Sequence, residues 1–318
     1  MTNAGQSPIL TLTLNPALDM STEVPSLVPD QKLRCSEPLL DPGGGGLNVS
    51  RAVAALGGES LALVALGGLT GDRLAGLIRQ ESVPFLALTA PGETRQSLTV
   101  TARDTGKQFR FMLPGPQWSD ADQERVFLLL RASARAGALG VISGSQPPGV
   151  PVDFPARLAR SMAGLQVVLD TSGPALRQAV SHPIAGLFVL RMDGEEAEEM
   201  AGTPLTTRSQ SADFAQDLVR RGVAQRVIVA RGSDGSVLAE ANQRLFVKAA
   251  KVEVKSKVGA GDSFVAGFVL GLARGHSSAE ALALGSAAAS AAVMTDATQL
   301  CRAADAMRLL PQCLVSEV

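Results

Sequence analysis

The 318-residue chain predicts an α/β fold, with a mostly parallel central sheet flanked by helices on both faces and a small β-lid. Three observations carry the prediction. Short β-rich apolar runs alternate with helical segments for most of the length, which implies crossover units. Two segments break that alternation and read as extended chain. After Val258 the sequence is mainly helical, with an Ala-rich stretch from Ala279 to Met294. No internal repeat or low-complexity linker interrupts the pattern, so residues 8–315 are expected to form one domain.

In chain order, the strand candidates are Ile9–Leu14, Leu61–Leu66, Gly140–Ser143, Val167–Asp170, Leu187–Leu190 and Arg226–Ala230. Between them lie helix candidates at Leu47–Leu56, Gly71–Gln80, Asp120–Arg135, Phe154–Met162 and Ser211–Arg221. In such sheets ligands bind beyond the C-terminal ends of the strands. The first interruption, Leu18–Leu40, contains polar-apolar extended stretches around Pro25 and Pro29. The second, Arg95–Met112, predicts a hairpin turning at Asp104–Lys107. With Asp104 opposite Lys107, Phe109 faces Ala102 and Phe111 faces Val100 on one apolar face, while Arg95, Ser97, Thr99, Thr101, Arg103 and Arg110 share the other. Residues 18–41 and 94–113 together would make the lid, its cationic-polar face a cover for an anionic substrate. A merely solvated face is the plainer alternative.

Composition narrows the function. Net charge is −1, which gives no electrostatic footprint for nucleic acid or anionic lipid. Aromatics are 3% and Tyr is absent, so few platforms exist for stacking bases. No apolar run approaches the roughly 20 residues of a membrane span, and Met1–Pro8 lacks the pattern of a signal peptide. Cys35, Cys301 and Cys313 form no short-spaced pair and suit a reducing cytoplasm. With two histidines, His182 and His276, hydrolytic triads and zinc sites have few residues to use.

Two glycine-rich segments carry the chemistry. Val258-Gly-Ala-Gly-Asp-Ser263 precedes a helical run, so successive backbone N–H groups and the positive helix end could hold an anion, with Asp262 placed to accept a proton from an attacking hydroxyl. Alternatively Asp262 simply caps the helix, since Asp is a favoured N-cap. In Pro42-Gly-Gly-Gly-Gly46 followed by Leu47-Asn-Val-Ser-Arg51, four glycines permit close approach to a ligand, and Asn48 offers a donor and an acceptor to sugar hydroxyls. This is not a Walker loop, because no Lys-Ser/Thr follows, nor a dinucleotide fingerprint.

Thr13-Leu-Asn-Pro-Ala-Leu-Asp19, Pro42–Arg51, Ser143-Gly-Ser-Gln-Pro-Pro-Gly149 and Gly259-Ala-Gly-Asp262, in this order, resemble the markers of the ribokinase-like PfkB sugar kinases over nearly the full length. Lys32-Leu-Arg-Cys35, the four-glycine run and Phe109-Arg-Phe-Met-Leu-Pro-Gly115 are most similar to the phosphofructokinase-2 type, which acts on fructose 6-phosphate. The resemblance implies ATP and Mg2+ as cofactors, and a ribokinase-like fold. Asp262 would be the base, with Gly259, Ala260 and Gly261 as the anion hole. Asp19, Gly44 and Asn48 would hold sugar hydroxyls. Lys32, Arg95, Arg110 and Ser143 would meet the substrate's phosphate. Gly232 and Gly235 would lie near the nucleotide, as would Arg191 and Asp193 from the stretch Arg191–Glu196, with Glu196 supporting the metal.

That stretch departs from the family's Asn-x-x-Glu, because Asp193 replaces the Asn. Ala230 stands where Ser or Thr is common, Lys257 where Thr or Ser often precedes the glycines, and the family's late Gly is absent from Thr295–Thr298. An extra carboxylate repels a triphosphate unless a cation intervenes. The sequence thus leaves open tagatose 6-phosphate or fructose 1-phosphate as substrate, and a sugar-phosphate-binding regulator as another class. On the expected register Arg110 lies six strand residues from Arg95, about 20 Å at roughly 3.3 Å per residue. That separation suggests a homodimer joined through the lids, in which one arginine reaches the partner's site.

Overall fold

The computed structural model describes residues 5–162, 164–296 and 298–318. Met1–Ala4 of the N-terminal reading, and Ala297 within Thr295–Thr298, lie outside the described residues. The main sheet has ten strands. Seven are mutually parallel: β1 (Ile9–Thr13), β4 (Leu61–Leu66), β5 (Phe85–Thr89), β8 (Leu139–Ser143), β9 (Gln166–Asp170), β10 (Val189–Met192) and β11 (Arg226–Ala230). An antiparallel edge follows, made of β12 (Gly235–Glu240), β13 (Gln243–Lys248) and β14 (Val315–Glu317). The spatial order runs β14-β13-β12-β11-β10-β9-β8-β1-β4-β5.

The short apolar runs become strands because each can bury side chains on both faces. Leu10 and Leu12 of β1, Leu169 of β9 and Val227 and Val229 of β11 enter one core. Ile9, Val168 and Ile228, one residue out of phase, enter the other. The first core is closed by α3 (Asp120–Ser133), α4 (Phe154–Ser161), α5 (Gly173–Ser181), α6 (Gly194–Ala201) and α7 (Arg208–Arg220). On the opposite face lie α1 (Gly45–Ala55), α8 (Ala260–Ala273), α9 (Ser278–Ala292) and α10 (Ala303–Leu309). A smaller cluster seats α2 (Gly68–Gln80) through Leu74 and Ile78. The Ala-rich stretch is thus α9, packed closely on α8.

A second, four-stranded sheet is formed by β2 (Ala17–Val24), β3 (Leu39–Gly43), β6 (Arg95–Ala102) and β7 (Lys107–Met112), in the order β3-β2-β6-β7. The hairpin differs in register from the sequence expectation. Ala102 pairs with Lys107, Val100 with Phe109, Leu98 with Phe111 and Thr99 with Arg110. The turn occupies Arg103–Gly106, with Gly106 at φ 66 and its N–H bonded to the Ala102 carbonyl, so the second strand starts two residues later relative to the first. A shift of two preserves which face each side chain takes. Arg95, Ser97, Thr99, Thr101 and Arg110 therefore still share one face, and Phe109 and Phe111 the other.

Other expectations shift modestly. The strand expected at Leu187–Leu190 is Val189–Met192, and helices α1, α2 and α7 begin two or three residues earlier than their apolar patterns. The strands β5, β12, β13 and β14 were not anticipated; the last lies in the tail expected to be helical.

Candidate active site

Two helix N-termini meet at the C-terminal edge of the parallel strands. Helix α8 starts at Gly259, which has φ 74, and a methyl there would lie 2.6 Å from Leu300 Cδ2. Only glycine makes that turn without strain. Its N-cap offers no side-chain acceptor, so the N–H groups of Ala260, Gly261 and Asp262 are left for an incoming anion. Asp262 is the third helical residue, not the cap, and makes no capping bond. That removes the reading of Asp262 as a mere helix cap. Helix α1 is likewise uncapped by a side chain, with Gly44 before it and Asn48 in its first turn.

Asn48 Nδ2 donates to Asp262 Oδ2 at 2.9 Å, joining positions 214 residues apart. Burial pushes the Asp262 carboxyl up to about 6; the neighbouring Asp170 carboxylate adds to this, while Asn48, Arg191 and Arg51 oppose it. Asp170 ends β9 and was not singled out from the sequence. Its oxygens accept from Ser143 Oγ at 3.0 Å and Arg191 Nη1 at 3.1 Å. The signal was available, since an Asp closing an apolar strand at its C-terminal end sits where ligands bind. Arg191 lies beneath Gly261, where a methyl would be 3.2 Å from both terminal guanidinium nitrogens. Burial works against its charge, but Asp170, Glu196 and Asp262 hold it more firmly protonated. Its Nε is buried without a hydrogen-bond partner among the described residues.

Asp193 and Glu196 form a capping box on α6. Asp193 Oδ1 accepts from Glu196 N–H at 2.9 Å, and Glu196 Oε2 accepts from Asp193 N–H at 2.8 Å. Asn and Asp cap helices about equally well, so an Asp in the family's Asn position keeps this helix start. Burial raises the Glu196 carboxyl, as do the Asp193 and Asp170 carboxylates; the Asp193 N–H and Arg191 oppose the rise. Among the described residues no three His, Cys, Asp or Glu side chains gather closely enough to hold a metal ion alone. The donors nonetheless fit Mg2+, which takes one or two carboxylates and completes its shell with phosphate and water. Glu196 and Asp170 would be those carboxylates if the ion binds here.

A second group lies on the polar face of the four-stranded sheet. Asp19 pairs across to Ser97, and a methyl at Gly43 would lie 2.1 Å from Asp19 Oδ2. Burial raises the Asp19 carboxyl, opposed by the Ser97 hydroxyl and by Arg95, Arg51 and Arg110. Arg95 Nε also donates to the Asn15 carbonyl. On the observed register Arg110 is four strand residues from Arg95, about 13 Å at 3.3 Å per residue. Both arginines act on Asp19 within one chain, and the separation that suggested an arginine donated by a partner is shortened by about two residues.

The structure therefore brings together Asp262, Gly259, Ala260, Gly261, Asn48 and Arg191, with Ser143 joined to them through Asp170. Gly44 sits beside them as the residue before α1, and Asp19, Arg95 and Arg110 form the adjoining group. Lys32 is exposed in the loop between β2 and β3 and makes no hydrogen bond or ion pair to either group. Gly232 lies in a short turn after β11, while Gly235 has a structural reason of its own, because a methyl there would strike the Val247 carbonyl at 1.9 Å. Lys257 is exposed before α8, and no ion pair joins it to Asp193.

The sequence pattern described as pfkB family carbohydrate kinase matches residues 13–305. The chain is 40% identical over 306 residues to the ATP-dependent 6-phosphofructokinase isozyme 2 of Mycobacterium tuberculosis, covering 96% of this chain and 89% of the relative. Identity to the 1-phosphofructokinase of Bacillus subtilis is 32% over 290 residues, covering 91% of this chain and 93% of the relative. The crystal structure of phosphofructokinase-2 from Escherichia coli in complex with fructose-6-phosphate superposes with a TM-score of 0.90 at 35% identity, covering 96% of this chain and 99% of that one.

Proposed function

The chain belongs to the pfkB family of carbohydrate kinases, and from that premise we propose that it transfers the γ-phosphoryl group of ATP to fructose 6-phosphate, forming fructose 1,6-bisphosphate. The observation that carries the reading is Asp262, placed behind an uncapped helix start and held by Asn48.

The sugar phosphate lies under the four-stranded sheet, which acts as the lid. Asp19, Asn48 and the backbone at Gly44 orient its hydroxyls. Arg95 and Arg110 neutralise its phosphate, a task suited to the guanidinium fork, and Lys32 is the further cation that the family resemblance assigns to it. An uncharged sugar would leave these cations unmatched. Asp262 accepts the proton of the attacking hydroxyl through Oδ1, which has no donor among the described residues. The hydroxyl oxygen bonds to the γ-phosphorus, the bond to the bridging oxygen breaks, and ADP leaves with that electron pair. The N–H groups of Ala260, Gly261 and Asp262 meet the transferring group, and Arg191 backs them with positive charge. Glu196 and Asp170 would hold Mg2+, which would supply further neutralisation of the phosphates when bound. The loop at Gly232 lies on the nucleotide side, after β11. Among the described residues no helix is long and apolar enough to cross a membrane, and a cytoplasmic location suits the free Cys35, Cys301 and Cys313.

The direct test is ADP release with Mg-ATP and a panel of fructose 6-phosphate, tagatose 6-phosphate, fructose 1-phosphate and fructose. Selective turnover of fructose 6-phosphate is expected. Faster turnover of fructose 1-phosphate or tagatose 6-phosphate would overturn the choice of fructose 6-phosphate, and faster turnover of free fructose would defeat the role given to Arg95 and Arg110. Tight binding of fructose 6-phosphate with no ADP released would make the protein a binder.

We also propose a homodimer through the lids. Phe109 and Phe111 are 37% and 48% exposed on the lid's apolar face, beside half-buried Leu98 and Met20. Such a patch favours burial against a second copy. Analytical ultracentrifugation should give a dimer for the wild type and a monomer for Phe111→Asp. A wild type that is monomeric yet fully active at assay concentration would remove the lid interface.

A further inference from the structure

Asn48 touches the base, and something must decide which end of its amide does so. The amide is pseudo-symmetric: rotated by half a turn, it would present a carbonyl oxygen to the Asp262 carboxylate and repel it. The group on its other side is the guanidinium of Arg51, one turn along α1, whose Nη1 donates to Asn48 Oδ1 at 3.1 Å. A guanidinium has five N–H donors and no acceptor. It therefore fixes Oδ1 toward itself and the NH2 toward Asp262.

Arg51 is itself tightly held. Its side chain is 7% exposed. Nε and Nη2 make a two-pronged ion pair with Glu81, both bonds 2.6 Å, and Nη1 also donates to the Pro42 carbonyl at 2.6 Å. Asp41 stands 4.0 Å away. The guanidinium thus ties α1 to the strand that ends in Gly43 and to the residue that closes α2. Glu81 itself is 35% exposed, but the guanidinium it grips is buried and aimed at the residue that touches the base.

We propose that Arg51 is a positioning residue for phosphoryl transfer, acting through Asn48 on Asp262 and clamped in turn by Glu81. The inference rests on the kinase reading, in which Asp262 is the base. Three charged groups face Asp262: Asp170 from β9, Arg191 from β10 and Arg51 from α1. Removing Arg51 takes away one of the two cations and frees the amide to turn.

The test uses the full-length kinase with Mg-ATP and fructose 6-phosphate, and three variants. Arg51→Met should lower kcat about 100-fold, the loss expected when a reacting group is misplaced by about 1 Å. It should leave the KM for ATP within about twofold. It should also move the acid limb of the kcat profile upward by about one pH unit. Arg51→Lys keeps a donor-only cation and should recover about tenfold of the loss and return the limb toward its wild-type position. Glu81→Gln leaves Arg51 in place but loosens it, and should shift both readouts less and in the same direction.

A merely structural Arg51 predicts otherwise. Activity would then fall only in proportion to the folded fraction measured by circular dichroism, the acid limb would stay put, and Lys would rescue nothing beyond folding; that result overturns the proposal. Should Arg51→Met fail to fold, Glu81→Gln decides, and wild-type kcat with an unmoved limb in that variant overturns it. Wild-type turnover and its loss in Asp262→Asn test the kinase reading separately, so the two failures are distinguishable.

Discussion

Asp262→Asn should be an enzyme that has lost its chemistry and gained stability. The rate effect follows from removal of the proton acceptor, and kcat should fall by about 10³-fold, within the range general-base groups contribute. KM should change little, since the substrate's phosphate and hydroxyls are held by other residues. The stability effect has the opposite sign. The folded-state carboxyl is raised to about 6 from an ordinary 3.8, mainly by burial. Between those values the folded protein binds more protons than the unfolded chain, so stability falls as pH rises through that window. By pH 7 the loss is about 3 kcal/mol, taking about 1.4 kcal/mol per pKa unit.

An asparagine carries no charge and escapes that loss. The variant should therefore melt higher than wild type at pH 7, with the difference vanishing below about pH 4, where both carboxyl states are protonated. The wild-type rate should follow the same titration and decline as pH falls through about 6, because only the carboxylate accepts a proton. Paired pH–rate profiles and melting curves check both halves. A wild-type acid limb near pH 4, or a variant less stable than wild type at pH 7, would show that Asp262 sits in a more solvated place than its neighbours imply.

The parts of this site that could be read from sequence are those carried by local backbone requirements. Gly259-Ala-Gly-Asp262 and the four-glycine run announce two helix starts, and both are found. The central strands were legible because apolar runs such as Leu61–Leu66 and Arg226–Ala230 have to be buried on both faces. What escaped was set by long-range pairing. Asp170 matters because β8 and β10 flank it and deliver Ser143 and Arg191 to its two oxygens. Nothing near Asp170 in sequence announces either neighbour. Arg51 reads as an ordinary helical cation until Glu81 and Asn48 are placed beside it. The lid hairpin was assigned the right faces and the wrong register, because alternation is blind to a shift of two. Asp193 looked like a defect in a phosphate site, yet it is half of a capping box whose other half is Glu196.

Gly44→Ala should separate the catalytic use of the glycine run from mere flexibility. Gly44 has φ 122 and ψ 135, a region that side chains rarely enter, and a methyl there would lie 2.7 Å from Thr13 Cγ2 and 3.0 Å from Pro16 Cα. Backbone strain of this kind costs on the order of 1–3 kcal/mol, and overpacking a further ~1–3 kcal/mol. The carbonyl of Gly44 accepts from the Asn48 N–H at 2.8 Å, so relief of the clash moves the turn that carries Asn48. Because Asn48 holds Asp262, kcat should drop about 100-fold, as for other displacements near 1 Å, with a lowered melting temperature. Gly76→Ala is the matched control. Gly76 lies inside α2 with nothing within 4 Å of an added methyl, and alanine should stabilise that helix by about 0.5–1 kcal/mol without touching kcat. A Gly44→Ala protein that melts lower but turns over at the wild-type rate would place the strain away from the base, and the run would then be serving the fold alone.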